Sequence, residues 1–182
     1  SINQHQLSAY VAKQISIFSV DEDTIFSDLE TYISIALERV EFCFSRVNDK
    51  YFFDGKQTLF NHLHTDQYAM FLYYLCNTIW RREGDLSLAS KVYYLNKTLN
   101  AVDIFYEVEL PDIFLLVHPL GTVLGRGQYS NYFVAYQRCT VGANAEHVFP
   151  VIDEGVAMYG GSMLMGTSHI HKNSRIAAGS FV

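Results

Sequence analysis

One histidine, His118, stands in a glycine-rich stretch, VHPLGTVLGRGQYSNYFVAYQRCTVG from Val117 to Gly142. With an unperturbed pKa of about 6.5 an imidazole is largely neutral near pH 7 and can take a proton. A carboxylate beside it would fix its tautomer and stabilise the imidazolium that forms. Two other histidine pairs, HLH at His62–His64 and HIH at His169–His171, put alternate imidazoles where a strand would present them on one face. Each pair offers only two ligands, so no metal site is expected. The three cysteines, Cys43, Cys76 and Cys139, are odd in number and lack CxxC spacing. Neither a disulfide framework nor a zinc site follows, and Cys139 is expected to be a packed thiol.

These residues need elements to hold them, and the chain changes texture along its length. Nine of the 11 glycines lie between Gly121 and Gly179, and the three prolines (Pro111, Pro119, Pro150) all follow residue 110. The first hundred residues are therefore free to be helical. Ile25, Leu29, Ile33, Leu37, Val40 and Phe44 recur at threes and fours, with Ser19 and Glu22 as a candidate capping box. Ala69, Leu72, Leu75, Cys76 and Ile79 form a second such face that Gly84 ends. Leu88, Val92, Leu95 and Leu99 form a third, capped by Asp85 or Ser87. At least three helices are expected, with a loop from Asn48 to Thr65.

From Ile152 the period becomes six: Ile152, Met158, Leu164, Ile170, Ile176 and Val182, each bead up to Ile176 followed four residues on by Val156, Ser162, Ser168, Ser174 or Ser180. An aliphatic bead and a small residue at fixed phase mark a hexapeptide β-helix. Three hexads close a triangular coil, so Met158 should stack on Ile176 and Leu164 on Val182. Leu124–Gly125 and Val141–Gly142 share that phase but stand one residue short of three hexads apart, and 143–151 breaks the frame as a projecting loop. The expected fold class is α+β: an N-terminal all-helical domain over 1–100, then a parallel β-helix over 101–182. HIH then flanks the inward bead Ile170, which turns both imidazoles to solvent.

Composition bounds the function. With 49% hydrophobic residues, 182 residues bury a real core, and a formal charge of −6 without a basic cluster argues against nucleic acid and anionic membranes. The longest apolar runs fall far short of the ~20 residues that span a bilayer. No signal peptide is read at the N-terminus. A cytoplasmic, reducing setting and small-molecule partners are expected.

The stretch from Asp103 to Gly142 resembles the serine O-acetyltransferases, a branch of the hexapeptide acyltransferases. That family carries Val-Asp-Ile before its first coil, then a histidine, two residues, a glycine and Val-Ile-Gly, then Tyr-Gln-x-x-Thr-Leu-Gly-Gly. Here these read Val102-Asp103-Ile104, His118-Pro119-Leu120-Gly121-Thr122-Val123-Leu124-Gly125, and Tyr136-Gln137-Arg138-Cys139-Thr140-Val141-Gly142. The resemblance implies left-handed coils and transfer of an acetyl group from acetyl-CoA to a hydroxyl, without metal. It makes His118 the base and Asp103 its partner. Asp54, Gln137 and His147 become candidate acceptor contacts, Asp54 standing roughly where the family has a second acceptor-binding acid. Gln137, like Thr140, also suits a polar corner.

Coenzyme A is expected along the outside of the coils between subunits of a homotrimer, or a dimer of trimers. Gly160, Gly161, Ala177, Ala178 and Gly179 would lie near its pantetheine arm and Lys172 or Arg175 near a phosphate, though coil corners call for the same small residues. Two departures stand out. Val117 replaces the aspartate that the family places before the histidine, and His147-Val148-Phe149-Pro150 replaces its His-Pro. Both point to an acceptor other than serine, such as a sugar or another small alcohol. A family tail that reports on cysteine would follow the coils; a chain finishing at Val182 is expected to lack that regulation. The rival class is a non-catalytic hexapeptide scaffold, against which the retention of Asp103 and His118 together argues.

Overall fold

A computed structural model describes residues 2–19 and 28–182. Four helices come first: α1 (Gln4–Phe18), α2 (Leu29–Phe44), α3 (Thr65–Arg81) and α4 (Leu86–Asn100). α1 goes beyond the helices read from the sequence. Its start is a capping box between Asn3 and Gln6, and it buries Leu7, Val11 and Ile15 along one stripe. Such caps contribute about 1 kcal/mol each. The proposed box at Ser19 and Glu22, and Ile25, reach residues outside those described; Ser19 itself is the C-cap of α1. Asp85 caps α4 by accepting from the Ser87 N–H at 2.8 Å.

α3 is the axis of the helical layer. Every residue from Asp66 to Ile79 is buried, because α2, α4 and the first strand of the second layer enclose it. A helix enclosed on all sides has no outward face left to solvate. Its polar groups instead bind the connecting segment. The Tyr73 hydroxyl donates to the Val108 carbonyl at 2.8 Å and accepts from the Leu110 N–H at 2.9 Å, while the Asn77 amide donates to the Tyr106 carbonyl at 2.8 Å. These bonds clamp residues 106–110 onto α3 and fix where the next layer begins.

Ten short parallel strands follow: β1 (Phe114–Leu116), β2 (Val123–Leu124), β3 (Gln128–Tyr129), β4 (Phe133–Ala135), β5 (Thr140–Gly142), β6 (Val151–Ile152), β7 (Ala157–Met158), β8 (Met163–Met165), β9 (His169–Ile170) and β10 (Arg175–Ile176). Strands three places apart pair, giving the sheets β1-β4-β7-β10, β2-β5-β8 and β3-β6-β9. That is a parallel β-solenoid with three sides. The ladders satisfy the backbone of each coil through its neighbours.

The hexad registers appear as read. Met158 pairs with Ile176 and Ile152 with Ile170, each three hexads on, and Val182 exchanges backbone bonds with Met163 and Met165 around Leu164. Ile152, Met158, Leu164 and Ile170 fill the interior; Ile176 and Val182, on the outermost coil, are more open. Leu124 pairs with Val141, one position short of three hexads, as the sequence register suggested. Ala135 pairs with Met158 across a longer coil, and the excess lies between β5 and β6, where the frame breaks. Among the described residues, no helix is long and apolar enough to cross a membrane.

Candidate active site

The second irregularity in the coils builds the site. Leu116 pairs with Ala135, and Val123 pairs with Thr140, so the chain takes seven steps from Leu116 to Val123 but five from Ala135 to Thr140. The corner between β1 and β2 is therefore longer by two than the corner between β4 and β5. The extra length lifts His118 out of the wall. Val117 still donates to the Ala135 carbonyl and Leu120 still accepts from Arg138, so the ladder resumes on either side of His118-Pro119. Pro119 is buried and anchors the turn, in which the Leu120 N–H reaches the His118 carbonyl at 2.7 Å. His118 adopts φ 48°, a left-handed conformation uncommon outside glycine, and its side chain is 79% exposed.

The raised imidazole enters a cleft of about 170 Å³ between the two layers. Thr65 and Asp66 at the start of α3, Leu99 and Asn100 at the end of α4, and His118, Pro119 and Leu120 line it. Asp66 is the acid there. Its carboxylate is only 9% exposed, accepts the His118 backbone N–H at 3.0 Å, and stands 3.7 Å from His118 Nδ1. It lies in the first turn of α3, at the positive end of the helix dipole. Leu99, read as a core position, is instead exposed and forms part of the cleft wall.

Asp103 is placed otherwise than the resemblance implied. It forms no hydrogen bond or ion pair with His118 among the described contacts. Its Oδ1 accepts from the Tyr93 hydroxyl at 2.6 Å and its Oδ2 from Lys97 Nζ at 2.6 Å, both on α4. Partial burial pushes its carboxyl up, but the bonds from Lys97 and Tyr93 outweigh that and hold it below the usual carboxylate range. Its backbone pairs with Val123, beyond the raised corner, which turns the side chain toward α4. In this geometry Asp103 ties the solenoid to the helices.

The remaining candidates separate by corner. Leu120, Gln137, Gly160 and Ala178 occupy one column, since Val123, Thr140, Met163 and Phe181 pair in register three positions later. Gly161 and Gly179 sit one step on, at φ 75° and 70°, and a Cβ on Gly179 would meet nothing within 4 Å. This column descends from the His118 corner, and the space over the backbone is open at Gly161 and Gly179. Gln137 lies against Gly160, whose Cβ would come within 2.7 Å of the Gln137 amide nitrogen.

Lys172 does not join that column: it lies after β9, at another corner, paired with Glu154 at 3.1 Å. Arg175 is likewise occupied, donating to the Gly155, Asn173 and Ser174 carbonyls. His147 is exposed in the β5–β6 loop, held by Asn144, and outside the His118 cleft. Asp54 is also outside it. It is exposed and accepts from the Lys56 and Gln57 N–H groups, closing the turn between Phe53 and Thr58. Cys139 is fully buried, with Sγ on the Met158 and Tyr159 carbonyls.

No family model matches the chain, and no curated protein matches it by sequence. Solved structures do. The serine acetyltransferase of Neisseria gonorrhoeae superposes with a TM-score of 0.75 over 100% of this chain and 72% of that one, at 18% identity. That of Vibrio cholerae gives 0.72 over 96% and 70%, at 18% identity. The Brucella abortus enzyme in complex with coenzyme A gives 0.70 over 98% and 74%, at 18% identity. The chain has the serine acetyltransferase fold. Likeness at this identity concerns architecture, namely four helices followed by a parallel solenoid. The bulged corner, Asp66 and the bound-up Asp103 are properties of this chain.

Sequence reading missed Asp66. It lies far upstream of His118, and only the docking of α3 onto β1 brings the two together. Asp153 was also missed. It stands at the end of β6 with Oδ1 3.1 Å from His169 Nε2 and Oδ2 3.6 Å from His171 Nδ1, so the HIH pair faces solvent but does not stand alone.

Proposed function

We propose that the chain is an acetyl-CoA-dependent O-acetyltransferase acting on the hydroxyl of a small acceptor. The observation that carries this reading is a histidine raised from a solenoid corner into a cleft backed by a buried carboxylate, in a chain with the serine acetyltransferase fold. His118 takes the acceptor's hydroxyl proton as the oxygen attacks the thioester carbonyl. The carbon–sulfur bond then breaks, and the imidazolium returns the proton to the departing sulfur, leaving the ester and a free thiol. Asp66, rather than Asp103, supplies the counter-charge to the imidazolium. The pantetheine arm lies along the His118 corner column over Gly161 and Gly179, where the backbone is open, with Gly160, Ala177 and Ala178 beside it.

The favoured acceptor carries no ammonium group. Val117 is apolar where a serine acetyltransferase has an aspartate, and Asp54 is spent on its own turn. A charge-assisted hydrogen bond is worth roughly 1.5–3 kcal/mol, so losing it weakens serine by about 10- to 100-fold. A sugar or neutral alcohol loses nothing. One observation favours serine instead: the buried Asp66 carboxylate near the base is a counter-charge that an ammonium could use. Steady-state kinetics with acetyl-CoA separate the two readings. A serine kcat/KM of about 10⁴ M⁻¹s⁻¹ or more would reject the changed acceptor.

The active assembly is proposed to be a trimer, or two trimers. In support, one outward row of the β2-β5-β8 side exposes Val123, Met163 and Phe181, the last at 74%, with Thr140 between them. A second copy packed on this row would cover the apolar side chains.

A further inference from the structure

We propose that Asp153, His169 and His171 form a binding site for a divalent transition-metal ion on the outer wall of the solenoid. The register brings them together. Ile152 pairs with Ile170, and the Asp153 N–H donates to the Ile170 carbonyl at 2.9 Å, so Asp153 on one coil stands beside both histidines on the next. Ile170 is buried, and alternation along β9 sends the imidazoles on either side of it outward. Their ring centroids are 4.5 Å apart. One ligand atom from each of the three residues lies within 4.8 Å of the other two.

The spacing suits a metal. Two ligands held about 2.0–2.1 Å from a tetrahedral zinc ion lie roughly 3.3–3.4 Å apart. Asp153 Oδ1 is 3.1 Å from His169 Nε2 and Asp153 Oδ2 is 3.6 Å from His171 Nδ1, one oxygen toward each imidazole, and small side-chain rotations would bring one ligand atom of each residue, already within 4.8 Å of the others, to that spacing. Two imidazoles and a carboxylate select zinc, cobalt, nickel or ferrous iron over magnesium or calcium. The neighbouring cations are turned to other partners: Lys172 is paired with Glu154, and the Arg175 guanidinium donates to the Gly155, Asn173 and Ser174 carbonyls. All three side chains are at least a third exposed, so water can complete the coordination shell. The bound ion would tie the coil that carries β6 to the coil that carries β9.

The test uses the full chain without a purification tag, stripped with chelator and dialysed near neutral pH. Zinc is titrated calorimetrically and cobalt is followed by its visible absorption. The site predicts one zinc ion per chain, cobalt bands of a nitrogen- and oxygen-ligated ion, and a melting temperature that rises with zinc. Asp153→Asn, His169→Gln and His171→Gln should each weaken binding by about tenfold or more, and His5→Gln should leave it unchanged. The replacements are at the surface, and circular dichroism checks that each variant is folded. Absence of uptake by the parent chain, or uptake that persists in the triple variant, would overturn the proposal and leave a histidine–aspartate ion pair.

Discussion

His118 owes its reach to the extra length by which its corner exceeds the next one. Flattened into the wall, the imidazole would lie in the coil surface; raised, it lines a cleft with Asp66. His118→Ala should lower turnover by roughly 10²–10⁴-fold, the usual contribution of a positioned base, with the circular dichroism spectrum unchanged. The two acids should then divide. Asp66→Asn is expected to cut kcat by roughly tenfold or more by removing the imidazolium's counter-charge, while Asp103→Asn should leave kcat within a few-fold.

The effect of Asp103→Asn belongs to stability. Its exposed bridge to Lys97 contributes at most about 1 kcal/mol. Because the folded carboxyl titrates below its unfolded value, that contribution is complete above about pH 4 and disappears as pH falls through the folded value. The melting temperatures of parent and Asp103→Asn should therefore differ at neutral pH and converge in acid. His118 was legible in the sequence because its motif is local. Asp66 was not, because its nearness depends on how a helix far upstream packs against the solenoid.

Among the elements, the solenoid was the more legible half. A period of six is imposed by the coil itself, so Ile152, Met158, Leu164 and Ile170 declare the fold in the sequence. The helices follow a looser rule. α2, α3 and α4 showed their apolar stripes, whereas the stripe of α1 is only Leu7, Val11 and Ile15 behind the Asn3–Gln6 box, too short to stand out. The bulged corner was half visible, since the shortened offset from Leu124 to Val141 was evident but the lengthened one from Leu116 to Ala135 needed the strand pairing. Leu164→Ala should cost about 2–5 kcal/mol, read from urea unfolding, because the bead is fully buried and its truncation removes apolar contacts inside the coil. Gly125→Ala should also destabilise, since its Cβ would meet the Val141 carbonyl oxygen at 2.8 Å.

At the scale of the whole molecule, the helices supply one wall of the cleft and the solenoid supplies the base, and residues 106–110 lock the two in place through Tyr73 and Asn77. The apolar row of Val123, Met163 and Phe181 predicts assembly: light scattering should give a mass that is a multiple of three chains, and Phe181→Asp should reduce it. A monomeric parent would remove the reason for placing coenzyme A between subunits. The central claim, acetyl transfer with His118 as base, is tested most directly by thiol release from acetyl-CoA across a panel of sugars, small alcohols and serine, with the parent chain and His118→Ala side by side. The account predicts acceptor-dependent thiol release by the parent, greatest with a neutral hydroxyl compound, and its near loss in the variant. Equal release by both proteins, or none above background with any acceptor, would contradict it.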